Sequence, residues 1–463
     1  MTGTDAVERR VDERFDGYLE SLFSLLSTPS VSATGEGMEE CPELVADLCS
    51  TYGFDDSRVV DTDGYPAVIS RAYVDHVAEN EFPTLLIYGH YDVQPVDPDE
   101  WQSPPFVPTV RTDASGDERI YARGAGDNKG QFFAHVCAVD ALRAEGGIPL
   151  NITLLLEGEE ESGSQNLQAA VRENGEILEA DLVFNADGPM ERNDHPEVNL
   201  GTRGLLYFEI TAEGPDRDLH SGNFGGPVPN PLWAIVDLLN SMKGEDGSIT
   251  VDGFYDDVAD LTAEDYGALE DIPFEDESLL EATNSDGLAD GPGNSYYEKL
   301  MFHPSVSIAG IHGGYAGERA KTAIPATATA KLDLRLVENQ DPGDIYGLFE
   351  DHVETHASDK FSWKMLKIGS VNPLRISLDA PFREPVVNAV TDVWGQKPIV
   401  KPSAGGAGPY HVFYEELGLP YIAVPYANFD EQNHSPNENL KVSHFESGIR
   451  CSIRIFRNLG ATL

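Results

Sequence analysis

The sequence predicts an α/β protein: a mainly parallel sheet covered by helices, with a smaller α+β domain of four strands and two helices inserted into it. Three observations predict this. Between positions 84 and 184 short apolar runs alternate with segments of helical period, the pattern of a parallel sheet built from strand-helix-strand units. From 205 to 356 the pattern changes to longer strands accompanied by two helices, and the first kind of alternation resumes after 384. A chain of 463 residues is also too long for one ordinary core, and 40% hydrophobic content is enough to fill two. The implied partition is 1–201 with 376–463 for the sheet domain, and 202–375 for the insertion.

Periodicity places the elements in chain order. A helix over 6–26 repeats Phe15, Leu19, Leu22, Phe23 and Leu26 on one face and stops at Ser27-Thr28-Pro29. A second helix is expected over 41–52. Strand 84–88 is followed by helix 129–145, strand 152–156, helix 165–180 and strand 182–184. After Gly201-Thr202-Arg203-Gly204 the inserted domain reads as strand 205–212, helix 231–242, strands 305–311 and 326–336, and helix 343–356. Within it, 244–294 is acidic and aperiodic and reads as an insertion. Helix 385–394, strand 421–424 and helix 443–459 return the chain to the first domain.

Composition narrows the function. The four cysteines, Cys41, Cys49, Cys137 and Cys451, follow no zinc or disulfide spacing, so reduced thiols are expected. The start, 1–16, is polar and charged, and no apolar stretch approaches the roughly 18 residues of a membrane span, so a soluble cytoplasmic protein is expected. With 31 basic residues against 80 acidic ones the formal net charge is −49, spread along the chain. Like-charge repulsion excludes nucleic acid and anionic membranes as partners. Self-repulsion of this size weakens a fold at ordinary ionic strength, whereas at about 1 M salt the Debye length falls to about 3 Å. Together with Lys being scarcer than Arg, this points to a cytoplasm of very high salt.

The chemistry sits at strand ends. The run 152–156 empties into Glu157-Gly158-Glu159-Glu160-Glu161, 84–88 into Gly89-His90-Tyr91-Asp92, and 182–184 into Asn185-Ala186-Asp187. Carboxylates stacked at the end of a buried strand repel one another, and bound cation compensates that repulsion more readily than protonation. In open α/β sheets the C-terminal strand edge is where ligands bind, so three such ends point to one metal site.

Singly, each signal is weak. His90 and Asp92 share a strand face and suit an imidazole ligand steadied by a carboxylate, but a satisfied strand-end histidine fits equally. Asp127, in Gly124-Ala125-Gly126-Asp127-Asn128-Lys129-Gly130, suits a bridging ligand or a helix N-cap, and the turn lacks the order of a phosphate loop. Glu159, Glu160 and Glu161 also fit a solvated acidic face. His434-Ser435-Pro436-Asn437-Glu438 says little by itself.

Taken together and in this order, the motifs resemble the dinuclear-metal amidohydrolases that include carnosine and other dipeptidases, glutamate carboxypeptidase, aminoacylase, acetylornithine deacetylase and succinyl-diaminopimelate desuccinylase. The resemblance runs over nearly the whole chain. Its carriers are Gly-His-Tyr-Asp-Val-Gln-Pro at 89–95, Trp101, Pro104-Pro105-Phe106, 123–130, 157–164, Asp187, Asp218-Leu219-His220-Ser221-Gly222 and 434–438. It implies a zinc-exopeptidase-like fold, an inserted domain that serves as lid and dimerisation domain, and two divalent ions, zinc or else manganese or cobalt. It implies that His90 and Asp187 hold one ion, Glu161 and His434 the other, and Asp127 both. Asp92 orients His90, and Glu160 is the general base. His220 is similar to a histidine that reaches the partner subunit's active site in a homodimer and donates to the developing oxyanion. Arg335 matches an arginine that binds substrate carboxylate, with a structural salt bridge as a close alternative. Gly406 lies in the glycine-rich loop near that carboxylate, where relatives often carry Ser in place of Ala407.

The expected function is metal-dependent hydrolysis of an amide bond next to a free carboxylate, by a dipeptidase or short-peptide exopeptidase. N-acyl-amino-acid deacylation is the alternative, because the same metals, base and arginine serve it. An inactive cation-binding scaffold is the reading from outside enzymology. From the charge alone, the melting temperature is expected to rise steeply between low and molar KCl; a melting temperature indifferent to KCl overturns the high-salt reading.

Overall fold

Strand Asn151–Glu157 is buried along its whole length, as a central strand must be when helices cover both faces of a parallel sheet. In the computed structural model, which describes residues 3–78 and 81–463, it pairs in parallel with Thr84–His90. That strand pairs in parallel with Leu182–Asn185, which in turn takes Tyr421–Ala423 in parallel. The parallel register sets His90 opposite Glu157 and Tyr88 opposite Asn185, so the C-terminal ends of the three ligand-bearing strands lie side by side.

The sheet has eight strands and is mixed. The antiparallel pair Asp56–Val60 and Ala67–Ala72 extends it on one side, and Glu197–Asn199 with Ile399–Lys401 closes it on the other. The first pair escapes periodicity because Asp56–Val60 is half-exposed and carries charge at Asp56 and Arg58. Helices Gly3–Leu26, Lys129–Ala144, Arg383–Trp394 and Val442–Gly460 pack on one another. The helix expected over 165–180 is only Leu167–Glu173; Asn174 and Gly175, both poor helix formers, follow it.

These strands and helices belong to a compact unit of Met1–Leu200, Ile376–Lys401 and Val412–Leu463. A second unit comprises Gly201–Arg375 with Pro402–His411. The sequence reading kept 402–411 with the sheet domain, whereas this loop bonds back to Gly201 and Arg203 through Ala404 and Gly406.

The two central strands of the second unit, Gly204–Glu213 and Thr327–Leu336, alternate buried and half-buried residues, the mark of a sheet covered on one face. Its antiparallel order is Ser305–Gly313, Thr327–Leu336, Gly204–Glu213, Ser362–Val371. Phe208 faces Leu332 across the central pair, and both join Ile210, Ile235 and Phe349 in a core shared with helices Pro231–Ser241 and Pro342–His356. The fourth strand, Ser362–Val371, was implied by the count but not placed by periodicity. It is an edge strand bearing Lys364 and Lys367, and its pattern is mostly exposed. The acidic segment 244–294 is not structureless: Thr262 and Asp265 form a capping box that starts helix Ala263–Glu270, and Asp276–Thr283 is helical. All four cysteines are free and buried. Among the described residues no helix is long and apolar enough to cross a membrane.

Candidate metal centre

His90 ends its strand fully buried, and the next turn brings Asp92 back beneath it, with the Asp92 carbonyl 3.1 Å and Oδ1 3.4 Å from Nδ1. The Asp92 carboxylate also accepts from the backbone N–H of Glu160 at 3.2 Å and of Glu161 at 3.1 Å. Asp92 therefore fixes the imidazole through its carbonyl and the acidic turn after strand Asn151–Glu157 through its carboxylate. The Nε2 of His90 lies 3.1 Å from Asp127 Oδ1 and 3.8 Å from Asp187 Oδ2. It is buried and, among the described residues, has no hydrogen-bond partner, as expected of a nitrogen set to bind an ion. On the other side, His434 Nε2 lies 3.2 Å from Asp127 Oδ2 and 3.1 Å from Glu161 Oε2. Two ligand groups result, His90 with Asp127 and Asp187, and Asp127 with Glu161 and His434. Asp127 gives one oxygen to each.

Backbone support for Asp127 comes from far along the chain. Buried Glu438 accepts from the N–H groups of Gly126 at 2.9 Å, Asp127 at 3.0 Å and Gly124 at 3.0 Å, and from Arg123 at 2.7 Å. Asn128 donates to the Ala186 carbonyl at 2.7 Å, tying the loop to the strand end that carries Asp187. A Cβ at Gly126 would meet Glu431 Oε2 at 2.0 Å, so a side chain there would require the Glu431 carboxylate to move. The peptide between Asp127 and Asn128 is cis.

Of the acidic run, two members are tied off. Glu157 accepts from the Tyr88 hydroxyl at 2.5 Å and from Ser164 at 2.9 Å, and Glu159 accepts from Asn166 at 2.8 Å. Glu161 takes Gln94 at 2.8 Å and stays in the ligand group. Burial raises the Glu160 carboxyl well above the usual range; His90 opposes this while Asp187, Asp127 and Glu161 add to it. Burial and then Asp127 push Asp187 up to about 6, and Asp127 with Glu161 lifts His434 to about 10. Burial alone would lower His90, but Asp127 and Asp92 outweigh it and hold the imidazole well above its ordinary value. Glu431, which sequence reasoning passed over, is 1% exposed, and among the described residues neither of its carboxylate oxygens is hydrogen-bonded. Only its position in an acidic loop near His434 signals it. Such crowding of anions fits a site made for cation charge, and imidazole nitrogen with carboxylate oxygen fits borderline divalent ions.

The model of peptidase family M20/M25/M40 matches residues 86–458. The chain belongs to that family. A Cys-Gly metallodipeptidase of Schizosaccharomyces pombe is 30% identical over 96% of this chain and 96% of its own length. A Beta-Ala-His dipeptidase of Homo sapiens is 30% identical over 81% of this chain and 74% of its own length. The structure of the M20 family metallo-carboxypeptidase Sso-CP2 from Sulfolobus solfataricus matches with a TM-score of 0.86 and 33% identity, over 96% of this chain and 99% of that one. The peptidase thus has the zinc-exopeptidase fold, acts on peptide bonds and uses a metal cofactor.

Seven residues singled out from the sequence meet at this centre: His90, Asp92, Asp127, Glu160, Glu161, Asp187 and His434. Three others belong to the second unit. His220 is exposed at the end of strand Leu219–His220, and its Nδ1 accepts from Gly222 N–H at 3.1 Å. Arg335 is half-buried on strand Thr327–Leu336 and pairs with Asp333 at 3.0 Å. The Gly406 carbonyl accepts from Arg203 N–H at 3.1 Å.

The peptidase's stability should carry the mark of Glu157. Burial pushes this carboxyl from 4.5 up to about 7, partly opposed by Tyr88. A carboxyl with a raised folded-state pKa holds a proton the unfolded chain has lost, so stability falls as pH rises between those values. In chelator-treated protein, Glu157→Gln should add on the order of 3 kcal/mol at pH 8, and nothing at pH 4, in urea unfolding. An equal effect at both pH values contradicts this account.

Proposed function

We propose that the chain is a metal-dependent dipeptidase that cleaves the peptide bond of a dipeptide or short peptide next to its free C-terminal carboxylate, with Glu160 as general base. The observation that carries the reading is the division of labour in the acidic turn: Glu161 joins a ligand group, and its neighbour Glu160 stands half-buried beside both groups without belonging to either. The names of the relatives, Cys-Gly metallodipeptidase, Beta-Ala-His dipeptidase and metallo-carboxypeptidase, support peptides as the substrate class.

Two divalent ions, zinc, manganese or cobalt, when bound by His90, Asp127, Asp187, Glu161 and His434, supply Lewis acidity that makes water nucleophilic near neutral pH and polarises a carbonyl. Glu160, with its pKa raised by burial, accepts the proton of the attacking water and returns it to the departing amine. Asp92 holds His90 in place and keeps the Glu160 backbone fixed. Gln94 steadies Glu161.

The remaining assignments extend the same reading. His220 serves the partner subunit's centre in a homodimer formed through the second unit, the insertion being the lid and dimerisation domain, and donates to developing negative charge. Arg335 receives the substrate carboxylate beside the loop of Gly406. The enzyme works in a cytoplasm of very high salt.

In molar KCl with zinc, manganese or cobalt, free amino acids are expected from a panel of dipeptides at rates exceeding release of acetate or succinate from N-acyl amino acids; turnover of the N-acyl compounds alone overturns the dipeptidase reading. Glu160→Gln should bind metal with unchanged stoichiometry and lose roughly 10²–10⁴-fold in kcat. Wild-type turnover by this variant removes Glu160 from the mechanism.

A further inference from the structure

Two cations that have no acidic partner among the described residues stand on the wall of one cavity in the second unit. This cavity, of about 320 Å³, is lined by Arg203, Lys299 and Ser305 on its polar side and by Leu279, Leu288 and Leu300 among its apolar contacts. Arg203 is 5% exposed. One terminal nitrogen donates to Ser305 Oγ at 3.0 Å and to the carbonyls of His303 at 3.2 Å and Arg335 at 3.4 Å, and its Nε is buried with no hydrogen-bond partner. Lys299 donates to the carbonyls of Gly291 at 2.7 Å and Pro292 at 3.0 Å. Among the described residues neither cation has a carboxylate within ion-pair distance.

The local charge is therefore unbalanced. Arg203 feels the like charge of Arg335 and, opposing it, the charge of Asp333, which is already paired with Arg335 at 3.0 Å. Burial, and then the like charge of Arg335, pulls the Arg203 guanidinium down to about 10, which leaves it cationic at neutral pH. A buried cation left without a counterion costs several kcal/mol, whereas a carboxylate on a guanidinium gives a charge-assisted, often bidentate, contact. Ser305 spends its oxygen lone pair on Arg203 and keeps its own proton to donate.

We propose that this cavity binds an apolar carboxylate, with the acid end on Arg203 and Ser305 and the hydrocarbon end among Leu279, Leu288 and Leu300. The occupant is a free aliphatic acid, and the site does not rest on the dipeptidase reading.

The probe is hexanoate, titrated calorimetrically into metal-free full-length protein in high-salt buffer, with hexanol and hexylamine as controls. Hexanoate is expected to bind at least tenfold tighter than either control, and Arg203→Met should abolish its binding. Thr283→Trp, which fills the cavity from helix Asp276–Thr283 and leaves Arg203 in place, should abolish it as well. No hexanoate binding, equal binding of hexanol, or binding that survives Thr283→Trp overturns the site. In metal-loaded enzyme, hexanoate is expected to bind without competing with a dipeptide, and competitive inhibition that is lost in Thr283→Trp overturns the free-acid reading. Because binding is read without metal, a failure of hydrolysis and a failure of this site give different results.

Discussion

Asp127 turns one carboxylate oxygen toward His90 and the other toward His434, and the centre depends on that division being held still. A carboxylate side chain on a glycine-rich turn would not hold it. Here the turn is clamped from outside by Glu438, whose two oxygens take three backbone N–H groups and the Arg123 guanidinium in a fully buried setting. Charge-assisted bonds of this kind are roughly twice as strong as neutral ones, and burial keeps water from competing for them. The last motif of the chain thus does two jobs: His434 ligates, and Glu438, four residues on, positions the ligand that both groups share.

Around that clamp the described residues concentrate more negative charge than the two imidazoles balance. Asp92, Asp127, Glu160, Glu161, Asp187 and Glu431 surround two imidazoles, and the raised pKa values of Glu160, Asp187 and Glu431 all begin with burial and grow with their neighbours. Folding places these groups together in spite of their repulsion because each is mounted on an element whose own packing fixes it. The strands that end at His90, Glu157 and Asn185 are buried through nearly their whole length. Divalent cations relieve the repulsion, so the preorganisation that costs stability in the polypeptide serves metal binding.

The second unit shows the opposite imbalance on a smaller scale. Its sheet has one covered face with a core around Phe208, Leu332 and Phe349, and its chemistry-bearing residues lie at the strand ends and loops. Arg203 reaches the glycine-rich loop through its backbone and strand Thr327–Leu336 through its side chain, so one residue connects the two segments that carry Gly406 and Arg335. In a chain of net charge −49, positive charge left unpaired in this place has a local electrostatic effect out of proportion to its size.

By itself the sequence determined the parallel core, because strand and helix periods are local properties, and it determined which residue types stand at the strand ends. Parallel pairing then makes neighbouring ends coincide, which is why His90, the acidic run and Asp187 could be read as one site. Tertiary structure alone decided which of four nearby glutamates faces the centre: Tyr88 and Ser164 bind Glu157 and Asn166 binds Glu159, and no sequence spacing encodes those partners. It also decided the burial of Glu431, which in so acidic a chain looks like any other surface acid, and the position of edge strand Ser362–Val371, whose exposed lysines blur its period. The physical reason is common to all three: periodicity reports which face of an element meets a core, whereas hydrogen bonds and burial between distant segments exist only after the chain has closed on itself.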